Sequence, residues 1–233
     1  MVQFYLTVLS WVLMMFANSA LAVKKFKVST YGGGHQIWFE VEDYDERNPD
    51  KNDYYDVIDN KKAPKGAFGK VINRTGRNGG FVRWAFDISQ AGGKGGDWYF
   101  WGRVLNPGNA SDWLVVDGHP GDKIPALKGK GLFDIQGVIP QRIFEQNLGP
   151  PWTWARNPPV EGHIKTLKNG ENTMYIFHRQ GVRTTFWDVF CWADSKDYEP
   201  SDDDYKNAKV PATTAVDPGD KLSLTWGELK TTP

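Results

Sequence analysis

The stretch His163-Ile164-Lys165-Thr166-Leu167-Lys168-Asn169-Gly170-Glu171-Asn172-Thr173-Met174-Tyr175-Ile176-Phe177-His178-Arg179 decides the fold class. After the Asn-Gly pair the residues alternate, with Met174, Ile176 and His178 on one side of a chain of period two and Tyr175 and Phe177 on the other. Asn-Gly readily takes the positive φ that a tight turn needs. A second turn signal, Gln180-Gly181-Val182-Arg183, leads into Phe186-Trp187-Asp188-Val189-Phe190-Cys191-Trp192-Ala193, whose continuous apolar character suits a buried strand. The two turns predict three consecutive strands in a meander.

Working outward, the same short apolar and aromatic runs recur between Gly, Pro, Asn and Asp, and helical periodicity is nearly absent. Strands are expected over residues 37–41, 80–88, 97–105, 113–116, 163–167, 173–179 and 185–193. Seven such strands are enough for two packed sheets, so the fold class is all-β, a β-sandwich with long loops. The loops are residues 43–68, 90–96 and 119–159. Loops of that length are uncommon unless they carry function. The expected layout is a signal peptide at 1–22, a lead-in at 23–36, the sandwich at 37–197, and an acidic, Pro-containing linker and tail at 198–233.

The 233 residues carry 28 Lys plus Arg and 28 Asp plus Glu, a balance that argues against a nucleic-acid partner. One Cys excludes a disulfide framework, and Cys191 reads as a buried small hydrophobe. Residues 4–16 form an apolar run that is followed by Ala20-Leu21-Ala22, the pattern of a cleaved export signal, with an uncleaved anchor as the competing reading. That run is shorter than the roughly 20 residues a bilayer demands. The expectation is a secreted, extracellular or periplasmic protein with no membrane span after signal removal.

Glu40 and Glu42, in Trp38-Phe39-Glu40-Val41-Glu42-Asp43, share one side of a strand. Three readings are open for them: a solvated strand face, a hard-cation site, or an acid/base pair. The four His lack metal-site spacing, and no Ser sits in a Gly-x-Ser-x-Gly elbow. No catalytic residue is assigned.

Four segments together resemble the carbohydrate-binding modules of families 6 and 35, β-sandwiches of the galactose-binding-like, jelly-roll type. They are residues 37–44, which are similar to the opening Glu-x-Glu strand; Trp98-Tyr99-Phe100-Trp101-Gly102-Arg103-Val104; Ser111-Asp112-Trp113-Leu114-Val115-Val116-Asp117-Gly118; and residues 163–173 with Trp187-Asp188-Val189. The resemblance implies a structural Ca²⁺ held by Glu40, Glu42 and Asp188, and a polysaccharide or glycan as partner. Val41 stands where the family has a small residue, and the long loops at 43–68 and 119–159 are insertions. Sugar recognition needs flat aromatic faces with polar neighbours, and the candidates are Asp112, Trp113, Trp152 and Trp154. Trp98, Trp101, Trp187 and Trp192 are expected in the core.

Two other functions remain in view. One is an extracellular structural or adhesion protein on the same fold. The other is a polysaccharide-degrading enzyme using Asp43, Asp45, Tyr54 or Tyr55.

Overall fold

Period-two stretches rich in aromatic and β-branched residues must pair laterally to satisfy their backbone and stack face to face to bury their apolar sides. The computed structural model describes residues 26–75, 80–108, 110–122, 142–145, 147–156, 163–179 and 185–211. Their strands form two sheets in which every pairing is antiparallel. One sheet runs β1 (Lys27–Ser29), β2 (Gln36–Glu40), β13 (Phe186–Ala193), β5 (Val71–Arg74), β4 (Tyr55–Ile58). The long β7 (Gly96–Asn106) lies on the other side of β13 and carries β10 (Leu148–Ala155) and β11 (Ile164–Leu167) on its far edge. The second sheet runs β3 (Glu46–Asn48), β6 (Phe81–Asp87), β12 (Glu171–His178), β8 (Asp112–Val116), β9 (Arg142–Ile143).

This topology corrects the meander. Gly170 does take a positive φ of 79°, but β11 pairs with β7 in the first sheet while β12 lies between β6 and β8 in the second. The Asn-Gly segment is therefore a corner between sheets. The Asn172 carboxamide closes it, accepting from the Lys168 amide at 2.9 Å and donating to the Lys168 carbonyl at 2.9 Å. The loops expected at 43–68 and 119–159 contain β3, β4, β9 and β10. The second turn at 180–183, the export signal and the tail beyond 211 lie outside the described residues.

Between the sheets the inward positions interlock as rings. Trp192 stacks on Phe86 with centroids 5.7 Å apart, and Trp84 meets Phe190 edge-on at 5.3 Å. Such geometries add to the large area each ring buries. Trp98, Trp187 and Trp192 are fully buried as expected. Trp101 is buried in a second apolar layer on the outer face of the eight-stranded sheet, with Trp38, Val189 and Cys191.

That outer layer is covered by residues expected to be a linker. Ser201 caps helix α1 (Asp202–Asn207): its hydroxyl accepts from the Asp204 amide at 3.1 Å while the Asp204 carboxylate accepts from the Ser201 amide at 3.0 Å. Tyr198 and Tyr205 then pack onto Trp38, with centroids 6.4 and 6.1 Å away. The acidic run is thus the first turn of a capped helix and belongs to the sandwich. A bridge between Val28 and Lys209 ends the segment, with the two amide-to-carbonyl bonds at 2.7 and 3.0 Å. Among the described residues no helix is long and apolar enough to cross a membrane.

Candidate functional site

Three features bring chemistry-bearing residues together. The first is acidic. Alternation along β2 places Glu40 with Trp38 on the covered face of the eight-stranded sheet, Glu42 in the turn that follows meets Glu40 at Gly69, and a break in register between Trp187 and Val189 takes Asp188 out of pairing with β7. Asp188 is fully buried and is paired with the Arg103 guanidinium; its oxygens also accept from the Phe68 amide at 3.2 Å. Glu42 accepts from the Lys70 amide at 2.8 Å, and Glu40 accepts from the Tyr205 hydroxyl. Burial raises Asp188 to about 6 although Arg103 opposes the rise. Burial, reinforced by Glu40 and Asp43, raises Glu42 to about 7.

Calcium surrounds itself with oxygens, typically six to eight of them. The groups directed at these carboxylates are instead N–H and O–H donors. Gly69 occupies the space between the two glutamates, so closely that a Cβ there would lie 2.8 Å from Glu42 Oε1 and nearer still to Glu40 Oε2. Of the oxygens on these three carboxylates, Glu40 Oε2 and Glu42 Oε2 are buried without a hydrogen-bond partner, and no group of three His, Cys, Asp or Glu among the described residues is arranged to hold a metal. The donor set does not fit the Ca²⁺ that the family resemblance implied for Glu40, Glu42 and Asp188.

Beside the glutamates opens a cavity of about 750 Å³, bordered by Phe26, Glu42, Tyr44, Lys70, Tyr205 and Val210. Phe26 and Tyr205 are almost wholly buried, and the Tyr205 ring already carries Lys27 Nζ at 4.0 Å from its centroid.

Trp152 and Trp154 project from one side of β10, as an extended chain requires. Trp154 Nε1 donates to Asp202 at 2.9 Å, and its ring meets Trp38 edge-on at 5.5 Å. The Arg103 guanidinium lies 5.3 Å from the Trp152 ring. Both tryptophans are half-buried anchors for the segments that cover this face.

The third feature separates Asp112 from Trp113, which alternate to opposite faces of β8. Asp112 points into the core and pairs with Arg74 at 3.0 Å, each side chain fully excluded from solvent. Burial pushes its pKa up to about 6 against the pull of Arg74. Asp112 offers nothing to an external ligand, which corrects its place among the sugar-binding candidates.

Trp113 faces out. In register across the five-stranded sheet, Arg142, Trp113, Phe177 and Phe81 form one row, and Val115, Tyr175, Arg83 and Glu46 the next. Phe81, Val115 and Phe177 are buried, while Trp113 and Tyr175 remain half-exposed. The Arg179 guanidinium sits 5.1 Å from the Trp113 ring and donates to Ser111 Oγ at 2.8 Å. Arg83 pairs with Glu46 at 3.2 Å, and Arg142 with Glu145. Tyr175, Arg83 and Arg179 are residues that the sequence reading passed over. The alternation of residues 173–179 already marked Tyr175 as lying opposite Met174 and Ile176.

The enzyme candidates go to different places. The Tyr55 hydroxyl donates to the Ile176 carbonyl at 3.2 Å inside the core, Asp45 accepts from the Ala85 amide at 2.5 Å, Tyr54 is buried, and Asp43 borders the cavity. His163 and His178 are buried, and desolvation lowers both to about 3.

Two antiparallel sheets stacked around an aromatic core define the class, a β-sandwich. No protein-family model matches the chain, and no curated protein matches it. Among solved structures the chain is similar to carbohydrate-binding modules. A family 35 module from Clostridium thermocellum is 14% identical, with a TM-score of 0.44 over 67% of this chain and 96% of that one. The Podospora anserina GH26-CBM35 β-(1,4)-mannanase is 12% identical at a TM-score of 0.45, over 72% of this chain and 29% of that one. A CBM36 module in complex with calcium and xylotriose is 15% identical at 0.34, over 67% of this chain and 98% of that one.

Proposed function

We propose that this protein is an exported, non-catalytic carbohydrate-binding β-sandwich whose sugar platform is the outer face of the five-stranded sheet. One observation carries the reading. The half-exposed rings of Trp113 and Tyr175 lie one row apart on that face, bordered by Arg83, Arg142 and Arg179 and by the carboxylates of Glu46 and Glu145. A pyranose buries its C–H face on such rings, and its hydroxyls bond to the charged border. Calcium is left out of the proposal because the donors around Glu40, Glu42 and Asp188 do not suit it.

Affinity electrophoresis against a panel of soluble polysaccharides tests this reading. The wild-type protein is expected to be retarded by at least one of them, and Trp113→Ala to migrate freely with its fold intact. A protein retarded by none sinks the proposal.

A second reading places the sugar in the cavity beside Glu42, since 750 Å³ falls within the range of about 300–1,000 Å³ usual for ligand sites. In that case Tyr44→Ala abolishes retardation and Trp113→Ala does not.

A further inference from the structure

Arg103 lies on β7 with 4% of its surface exposed. Its Nε and Nη2 donate to the two carboxylate oxygens of Asp202, each at 2.8 Å. Nη1 donates to the Gly66 carbonyl at 3.0 Å and to Asp188. The Phe68 ring lies 4.0 Å from the guanidinium and the Trp152 ring 5.3 Å from it. The acceptors come from three separate parts of the chain: the loop at Gly66, strand β13 and helix α1. A desolvated, fork-shaped cation between two carboxylates is the strong form of ion pair.

We propose that Arg103 is the built-in cation of this sandwich, joining Asp188 and Asp202 so that the covered face closes without a metal ion. The polarity of the surroundings agrees. The amides of Phe68 and Gly69 point at Asp188 and that of Lys70 at Glu42, where a metal site would present oxygens. A metal ion bound at Asp188 would meet the guanidinium as a like charge. The inference is independent of any sugar site.

The test uses the full chain. Thermal unfolding is followed with calcium and with EDTA, together with Tb³⁺ luminescence excited through tryptophan. The wild-type protein is expected to melt at the same temperature in both solutions and to give no sensitised terbium signal. Arg103→Gln leaves the Asp188 and Asp202 carboxylates without the guanidinium between them. It is expected to melt well below wild type, to recover part of that loss in calcium, and to gain a terbium signal. Arg103→Lys keeps the charge but loses the fork; it should melt between the two and ignore calcium.

A wild-type melting point that calcium raises or EDTA lowers overturns the proposal, as does a wild-type terbium signal that calcium displaces. An Arg103→Gln protein as stable as wild type also overturns it. So does a loss that no cation recovers, which would make Arg103 a hydrogen-bonding anchor alone. If Arg103→Gln does not fold, the wild-type arms decide.

Discussion

Arg74 on β5 and Asp112 on β8 join the two sheets through a 3.0 Å ion pair from which water is fully excluded. Arg74 also donates to the Ser111 carbonyl at 3.0 Å and to Thr185 Oγ1 at 2.7 Å; Thr185 in turn donates to Asn106 Oδ1 at 2.8 Å. Removing the Asp112 carboxylate takes a fully buried ionic partner from the guanidinium while leaving that charge inside the core. Asp112→Ala is therefore expected to lose about 3–5 kcal/mol in urea unfolding. The double variant Arg74→Met/Asp112→Leu is expected to recover most of that loss, because two apolar side chains leave no charge stranded. A fully stable Asp112→Ala protein would contradict this account of the pair.

Trp113 and Trp154 make opposite predictions for sugar binding. Truncating a central stacking ring typically costs about 2 kcal/mol or more, roughly a 30-fold loss of affinity. That loss is expected for Trp113→Ala in titration calorimetry with whichever polysaccharide retards the wild type. Trp154→Phe gives up the 2.9 Å bond to Asp202 and is expected to lower the melting temperature while leaving affinity unchanged.

His178 should make the fold sensitive to acid. Desolvation, helped by Arg74, lowers it to about 3; Asp112 lies opposite it on β8 and the Tyr55 ring 5.2 Å away. Above its unfolded pKa near 6.5 both states hold the ring neutral. Below it the unfolded chain takes up a proton that the native core refuses, so stability is lost as pH falls toward 3. At pH 5 the loss is about 2 kcal/mol from this residue. Asp112 and Asp188, both raised to about 6, act in the opposite sense between pH 6 and 4. The informative quantity is thus the difference between wild type and His178→Phe, which should grow as pH falls. A constant difference from pH 7 to pH 5 would exclude the effect.

Cys191 lies under the C-terminal segment, fully buried, and burial pushes its thiol pKa up. The intact protein is expected to resist a thiol-reactive dye. Removing the rings of Tyr198 and Tyr205 by alanine substitution uncovers that layer, and labelling is expected to accelerate by orders of magnitude under native conditions. Equal rates would mean that the segment does not protect the sheet.

The residues legible in sequence were those whose environment is set locally. Strand β12 was readable because Met174, Ile176 and His178 alternate cleanly with Tyr175 and Phe177. Gly170 was readable because only a few residues accept its φ. Which sheet each strand joins was not, since an Asn-Gly corner looks the same whether it reverses within a sheet or crosses between two. Strand β10 reads as loop in the sequence because Pro150 and Pro151 remove ladder donors. Adjacency groups Asp112 with Trp113 in the sequence, although period two separates neighbours onto opposite faces. The partners of Asp188 were invisible because Arg103 and Phe68 are 85 and 120 residues away along the chain.

The Val28–Lys209 bridge sets how this domain responds to force. It joins the first and last described strand-like segments side by side, antiparallel, by two hydrogen bonds. A load applied through residues 26 and 211 meets those bonds one after another, as in opening a zipper. The C-terminal segment is then expected to separate from β1 and to bare the tryptophan layer before the ring-packed interior between the sheets is loaded. Under tension, the domain is expected to yield from its covered face inward.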